Sequence, residues 1–211
     1  MIINSDKKYV FVCVPKTATT SLHKFLVIAD KLPVRNQLIF NREWTGKKWH
    51  WPMSSIINDY RNLNFNKYYK FAFHRNPWDR LVSSFIEFTS DKGHITTWSK
   101  KLCNYKNFEK FILDLPTSQW KDEIHFQPTT YYTHNNGKKI VDFIGRYENM
   151  RTDLQKVFKK IECSIQAFNS GRKWRKSHRF PDYKLYYKND KMINIVGDLF
   201  HEDIITFGDK F

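Results

Sequence analysis

The sequence predicts one α/β domain over residues 1–211, built on a central parallel sheet flanked by helices. Apolar runs of strand length alternate with stretches of helical spacing. The two clearest runs, ending at Val14 and Phe73, each lead through a short polar loop into an amphipathic helix. No repeat, low-complexity stretch or linker divides the chain. In such a fold the functional loops lie at the carboxyl ends of the strands.

The first strand is read at Lys8–Val14, a β-rich run of the length expected for a strand buried on both faces, stopped by Pro15. After the hydroxylic loop 16–21, the spacing of Leu22, Phe25, Leu26 and Ala29 predicts a helix. Tyr68–Phe73 reads as the second strand. Pro77 suits the first position of the helix that follows, because it has no N–H to leave unsatisfied. The turn signal Asn135-Asn136-Gly137 precedes a third strand at Lys139–Ile144 and a helix over about 149–161. Ile193, Val196, Leu199, Phe200 and Ile204 place one closing helix over 191–207.

Composition bounds the function. Hydrophobic residues are 41% and aromatics 17%, enough apolar surface for a real core, so general disorder is excluded. Tyr9–Val14 and Phe25–Ala29 are far too short to span a bilayer, and no secretory signal precedes the first strand, so the expected location is the cytoplasm. Cys13, Cys103 and Cys163 lie far apart with no C-x-x-C, and the His residues show no ligand spacing, so neither a disulfide framework nor a metal site is indicated. With 36 Lys+Arg against 21 Asp+Glu the net charge is +15, which favours an anionic partner of unspecified kind.

Two loops carry chemistry. Where the first strand meets its helix, backbone N–H groups and the helix dipole favour an anion. Lys16 adds a point charge, and Thr17, Thr19, Thr20 and Ser21 add small donors. The loop has no G-K-[ST], which argues against a nucleotide hydrolase, although Thr and Ser capping a helix would look similar. In the second loop, Arg75 ends a strand and Ser83 follows two turns into the next helix, a spacing that lets a guanidinium and a hydroxyl share a phosphate. Pairing of Arg75 and Arg80 with Asp79 and Glu87 on a solvated face is the competing reading.

Taken together, Val14-Pro-Lys-Thr-Ala-Thr-Thr-Ser-Leu22 resembles the 5′-phosphosulfate loop of the sulfotransferases, and Phe71-Ala-Phe-His-Arg-Asn-Pro-Trp-Asp-Arg-Leu-Val-Ser83 resembles their 3′-phosphate motif. The likeness is greatest to the carbohydrate and 2-O-sulfotransferase branch with its microbial relatives. It continues through Asn107–Phe111, His125–Pro128, Val141–Asn149 and His201–Gly208. The resemblance implies a fold related to the P-loop nucleotide-binding proteins. It also implies transfer of a sulfuryl group from 3′-phosphoadenosine 5′-phosphosulfate (PAPS, leaving PAP) to an acceptor hydroxyl. By the same resemblance, Lys16 stabilises the leaving phosphate, the segment Thr17, Ala18, Thr19, Thr20 and Ser21 holds the 5′-phosphate, and Arg75 and Ser83 hold the 3′-phosphate. Family members often have Gly where this chain has Ala18 and Thr19, so a positive φ there would be strained.

The acceptor must lose a proton, and His is the side chain suited to take it near neutral pH. His50, between two Trp residues, matches the base of the 2-O-sulfotransferase branch. His125 is the alternative base or an acceptor-binding residue, and Trp51 offers a face to a saccharide. The basic run 171–179 is either a solvated loop or a contact to an anion. Two other classes fit parts of the pattern. An ATP-using kinase-like enzyme lacks its G-K-[ST], and a non-catalytic nucleic-acid-binding module has the charge but no recognisable motif.

Overall fold

Tyr9, Phe11 and Cys13 alternate with Val10, Val12 and Val14, and all six are buried, so the run is sealed on both faces as its composition predicts. It belongs to a computed structural model that describes residues 1–29, 48–89, 105, 107–163 and 182–211. The basic run 171–179 lies outside the described residues. The chain divides into two units, Met1–His74 with Thr129–Ser177, and Arg75–Pro128 with His178–Phe211.

The first unit holds a four-stranded sheet. Strand β1 (Ile2–Asn4) pairs antiparallel with β2 (Tyr9–Phe11), which pairs in parallel with β3 (Tyr69–His74). A hairpin of β4 (His134–Asn135) and β5 (Lys138–Lys139) turns through Asn136 and Gly137, both at positive φ. Strand β6 (Phe143–Arg146) then lies parallel to β3, giving the order β1-β2-β3-β6. The parallel sheet expected from the sequence is thus three strands with an antiparallel edge. Met1, Ile2 and Ile3 are too few to stand out as a strand by pattern, yet all are buried.

The third expected strand also shifts. Lys138 and Lys139 are taken by the hairpin, and β6 enters only after Asp142. Its N–H donates to Lys70 O (2.7 Å), and its carboxylate accepts from Lys70 N (2.6 Å) and pairs with Lys70 Nζ (2.8 Å). Helices α1 (Thr19–Ala29), α2 (Met53–Asp59), α5 (Thr129–Thr133) and α6 (Met150–Lys160) complete the unit. Phe25 of α1 stacks on Phe158 of α6 at 4.8 Å, in one cluster with Phe11, Phe71 and Phe73. A Cβ on Gly145 would stand 2.5 Å from the Phe73 ring, so β6 passes there only because that residue is glycine.

The second unit contains α3 (Pro77–Thr89), α4 (Phe108–Asp114), α7 (Asp190–Leu199) and α8 (His201–Phe207). Trp78, Phe85, Phe111, Met192, Val196 and Phe200 belong to its core. Asn107 and Asn189 cap α4 and α7 by accepting from Lys110 N and Met192 N. The single closing helix expected over 191–207 is two helices. Phe200 leaves helical geometry (φ −114°, ψ 26°), with its buried ring 5.1 Å from the Arg80 guanidinium. Tyr187 donates its hydroxyl to Trp78 O at 3.0 Å, and burial pushes its phenol well above the ordinary tyrosine range. Among the described residues no helix is long and apolar enough to cross a membrane.

Candidate active site

In the first unit the chain leaves β2 through Val12–Val14 and turns into α1. Thr17, fully buried, donates its hydroxyl to Val14 O at 2.9 Å, which closes the turn. On either side of it Lys16 (φ 65°) and Ala18 (φ 62°) adopt the left-handed conformation. Alternating left-handed residues with others turns successive N–H groups to one side, the concavity that receives anions. The cost for a residue with a Cβ is about 1 kcal/mol each. The strain expected from the glycine-rich relatives is therefore present at Ala18, whereas Thr19 already begins α1.

The first helical bond of α1 runs from Leu22 N to Ala18 O at 3.0 Å. The N–H groups of Thr19, Thr20 and Ser21 precede that ladder, and Ala18, the residue just before the helix, has no side-chain acceptor to offer them. This arrangement narrows one sequence expectation. Thr17 spends its single hydroxyl proton on the turn, so what it can offer an anion is its backbone N–H.

His50 stands at the end of a short 3₁₀ turn, Lys48–His50, whose Trp49 carbonyl accepts from the Met1 amino group at 2.7 Å. Its buried ring makes an Nδ1 contact to Cys13 O of 2.6 Å, on the strand extension that leads into the loop. A carbonyl oxygen can only accept, so Nδ1 carries the proton and Nε2 of the neutral ring carries the lone pair. That is the tautomer of a general base. The Cys13 thiol itself is pushed up by burial, so it stays protonated and unreactive. Trp51 follows, partly exposed, and with Ser55, Asn58 and Asp59 lines an open depression of about 410 Å³ along α2.

In the second unit Arg75 comes directly after β3. The helix behind it is closely capped. Asn76 Oδ1 accepts from Trp78 N (3.1 Å) and Asp79 N (3.5 Å), and Arg80 N donates to Asn76 O. The Arg75 guanidinium is held by Asp79, with Nε to Oδ2 at 2.7 Å and Nη2 to Oδ1 at 2.8 Å. The competing sequence reading was right that this pair forms and wrong that it is solvated, since the Arg75 side chain is only 8% exposed. Arg80 is buried instead of facing solvent, donating to Gln127 O at 2.6 Å. Ser83 is buried in α3, and His125 packs edge-on against Phe88 at 5.1 Å.

His74, last in β3, is fully buried with Nδ1 2.8 Å from Thr129 Oγ1, so it serves the first unit's interior. The Cys13 carbonyl and the Asp79 carboxylate are not singled out as site participants by the sequence. The Cys13 carbonyl has no signature because any residue supplies one. Asp79 was visible by its four-residue spacing from Arg75 but reads as an ordinary surface partner.

A profile of the sulfotransferase family matches residues 1–208. The chain belongs to the sulfotransferase family. An uncharacterized protein of Archaeoglobus fulgidus is 36% identical over 111 residues, covering 52% of this chain and 81% of that relative. Family membership makes sulfuryl transfer to an acceptor the general chemistry of this sulfotransferase.

Proposed function

We propose that residues 1–211 act as one sulfotransferase domain of P-loop-like topology that moves a sulfuryl group from PAPS to a hydroxyl of a saccharide. The observation that carries this reading is the loop from Val14 to Leu22. Lys16 and Ala18 are held left-handed around a locked Thr17, directly ahead of the first N–H groups of α1. These groups fit a 5′-phosphosulfate, since they supply several N–H donors, a cation and no carboxylate.

When bound, PAPS supplies the sulfuryl group on a good leaving phosphate. The backbone N–H groups from Thr17 to Ser21 orient that phosphate. Lys16 stabilises the charge that gathers on the bridging oxygen as the bond to sulfur breaks, and preorganised charge of this kind is the largest catalytic contribution in related transfers. Nε2 of His50 accepts the proton of the acceptor hydroxyl while Nδ1 stays bonded to Cys13 O, which keeps the ring in the basic tautomer. Arg75 and Ser83 receive the 3′-phosphate, the first by charge-assisted hydrogen bonds. The depression beside Trp51 supports a saccharide acceptor: an indole face suits a sugar ring, and Ser55, Asn58 and Asp59 suit its hydroxyls. His125 is a second residue proposed for acceptor binding.

The test is calorimetric titration with adenosine 3′,5′-bisphosphate, ATP, AMP and an unrelated single-stranded DNA, on wild type and Arg75→Ala. Selective binding of the bisphosphate, weakened in the variant, is expected. It is to be followed by transfer assays with a saccharide panel in which His50→Ala lowers kcat by roughly 10²–10⁴. In the same variant the acidic limb of the pH–rate profile should disappear, because no ring remains to be protonated. Equal or tighter binding of ATP, or binding of DNA alone, would replace this reading with a kinase or a nucleic-acid module.

A further inference from the structure

Eight lysines of the first unit gather where its parallel strands begin, at the end of the sheet opposite the loop that carries Lys16. Lys7 and Lys8 lead into β2, Lys67 lies two residues before β3 and Lys70 within it, and Lys138 and Lys139 form β5, ahead of β6. Lys159 and Lys160 close α6, and Lys7 Nζ donates to Glu162 O at 3.0 Å, which brings that helix end to the start of β2. Lys8 Nζ stands 5.3 Å over the Tyr68 ring, and Lys70 Nζ donates to Tyr68 O at 2.8 Å, so the entries of β2 and β3 share one patch. Asp142 N donates to Lys70 O at 2.7 Å, and Lys139, three residues earlier, lies within about 10 Å of Asp142.

The same stretches, 6–8, 67–70, 138–142 and 159–162, hold three acids, Asp6, Asp142 and Glu162. Asp142 is already taken by Lys70 at 2.8 Å. Lys8, Lys67, Lys138, Lys139, Lys159 and Lys160 are exposed, and no ion pair among the described residues uses them. Like charges gathered in this way repel one another in the folded state, and an external anion relieves that repulsion. All eight cations are lysines. An ammonium on a flexible stem is a hydrated point charge that fits a surface of mobile anions, whereas the fixed fork of arginine is the usual reader of a nucleic-acid backbone. The lysines also issue from three neighbouring strand entries, about 5 Å apart, and from one helix end, which spreads their charge across the end of the sheet.

From this arrangement we infer that the amino end of the sheet is a docking surface for an anionic lipid bilayer, held by charge without insertion. Each lysine near such a surface adds to the attraction, which fades within a Debye length. The Lys16 loop, at the other end of the strands, then stands away from the bilayer, so the docking surface and the candidate site do not compete. The inference is independent of the donor and acceptor assignments.

Sedimentation of the full chain with vesicles tests it, using phosphatidylcholine alone and phosphatidylcholine with about 30% phosphatidylserine, at about 0.1 M and 0.5 M salt. The variants are Lys138→Gln/Lys139→Gln/Lys159→Gln/Lys160→Gln and a control of equal charge in the second unit, Lys121→Gln/Lys184→Gln/Lys191→Gln/Lys210→Gln, with thermal unfolding of each alongside. Wild type is expected to bind only the anionic vesicles and to be released at the higher salt. The first variant should lose roughly 10²–10³ in affinity and the control less than about tenfold. Binding to neutral vesicles, or none to anionic ones, overturns the inference, and these wild-type arms decide even without a folded variant. Equal losses in the two variants also overturn it, because net charge and not this face would then be responsible. So does DNA, single-stranded or duplex, that binds more tightly than the vesicles at the same salt and loses that affinity in the first variant, which gives the face to nucleic acid.

Discussion

The starts of α1 and α3 are built by different chemistry. Each helix follows a strand by way of a loop that carries a cation. At α1 the loop is held by a hydroxyl on a carbonyl, with Lys16 and Ala18 in left-handed geometry, and Ala18, just before the helix, has no side-chain acceptor for the first helical N–H groups. At α3 the start is Asn76, Pro77 and an acid at the third position, with the first N–H groups satisfied internally and no positive φ. The first start holds two residues that carry a Cβ in left-handed geometry, at a cost of about 1 kcal/mol each. The second satisfies its backbone through Asn76 and pairs its cation, Arg75, with Asp79 at the third helical position. An anion received by backbone needs a particular loop shape, whereas one received by a guanidinium needs only that the guanidinium be aimed.

Substitution of Lys16 is expected to have the largest effect. Lys16→Ala should lower kcat by about 10²–10³ while weakening adenosine 3′,5′-bisphosphate only modestly, because the charge acts mainly in the transition state; steady-state kinetics beside calorimetry separate the two. A loss confined to KM would return Lys16 to plain binding. Asn76→Ala should cost about 1 kcal/mol in urea unfolding, since it removes the cap of α3. The corresponding substitution at α1 has no counterpart, because the residue just before that helix is already Ala18.

Tyr187 sharpens the second region further. Its phenol is favoured in the neutral form by burial, so the native state holds this proton more tightly than the unfolded chain does. Stability from this group is full below the ordinary tyrosine range and declines as pH rises through and above it. Tyr187→Phe should cost about 1 kcal/mol at neutral pH by losing the bond to Trp78 O, and flatten the alkaline loss of stability measured by denaturant titration. The smallest expected effect belongs to the first region. Ala18→Gly should raise stability by about 0.5 kcal/mol, relief of the left-handed Cβ being partly offset by the greater freedom of glycine when unfolded. A loss of stability there would mean that the left-handed turn is not strained.

Much of this was legible from residue order alone. Val10 to Val14 reads as a doubly buried strand because no polar residue interrupts it, and Pro77 fixes the start of α3 because its ring suits no other helical position. The breaks were not legible. The closing helix divides at Phe200 because that ring is drawn against Arg80, a residue 120 positions earlier, and spacing along one helix carries no trace of such a partner. The third strand begins late because Asp142 answers Lys70, again a distant pairing.

The alternation of strands and helices, the two cation-bearing loops and the family resemblance follow from residues near one another in the chain. Tertiary structure alone decided which nitrogen of His50 holds its proton, since that follows from the Cys13 carbonyl 37 residues away. It also decided that Thr17 locks its loop and that the Arg75–Asp79 pair is withdrawn from water. Hydrogen-bond direction and burial belong to neighbours in space, and a linear order of residues does not say who those neighbours are.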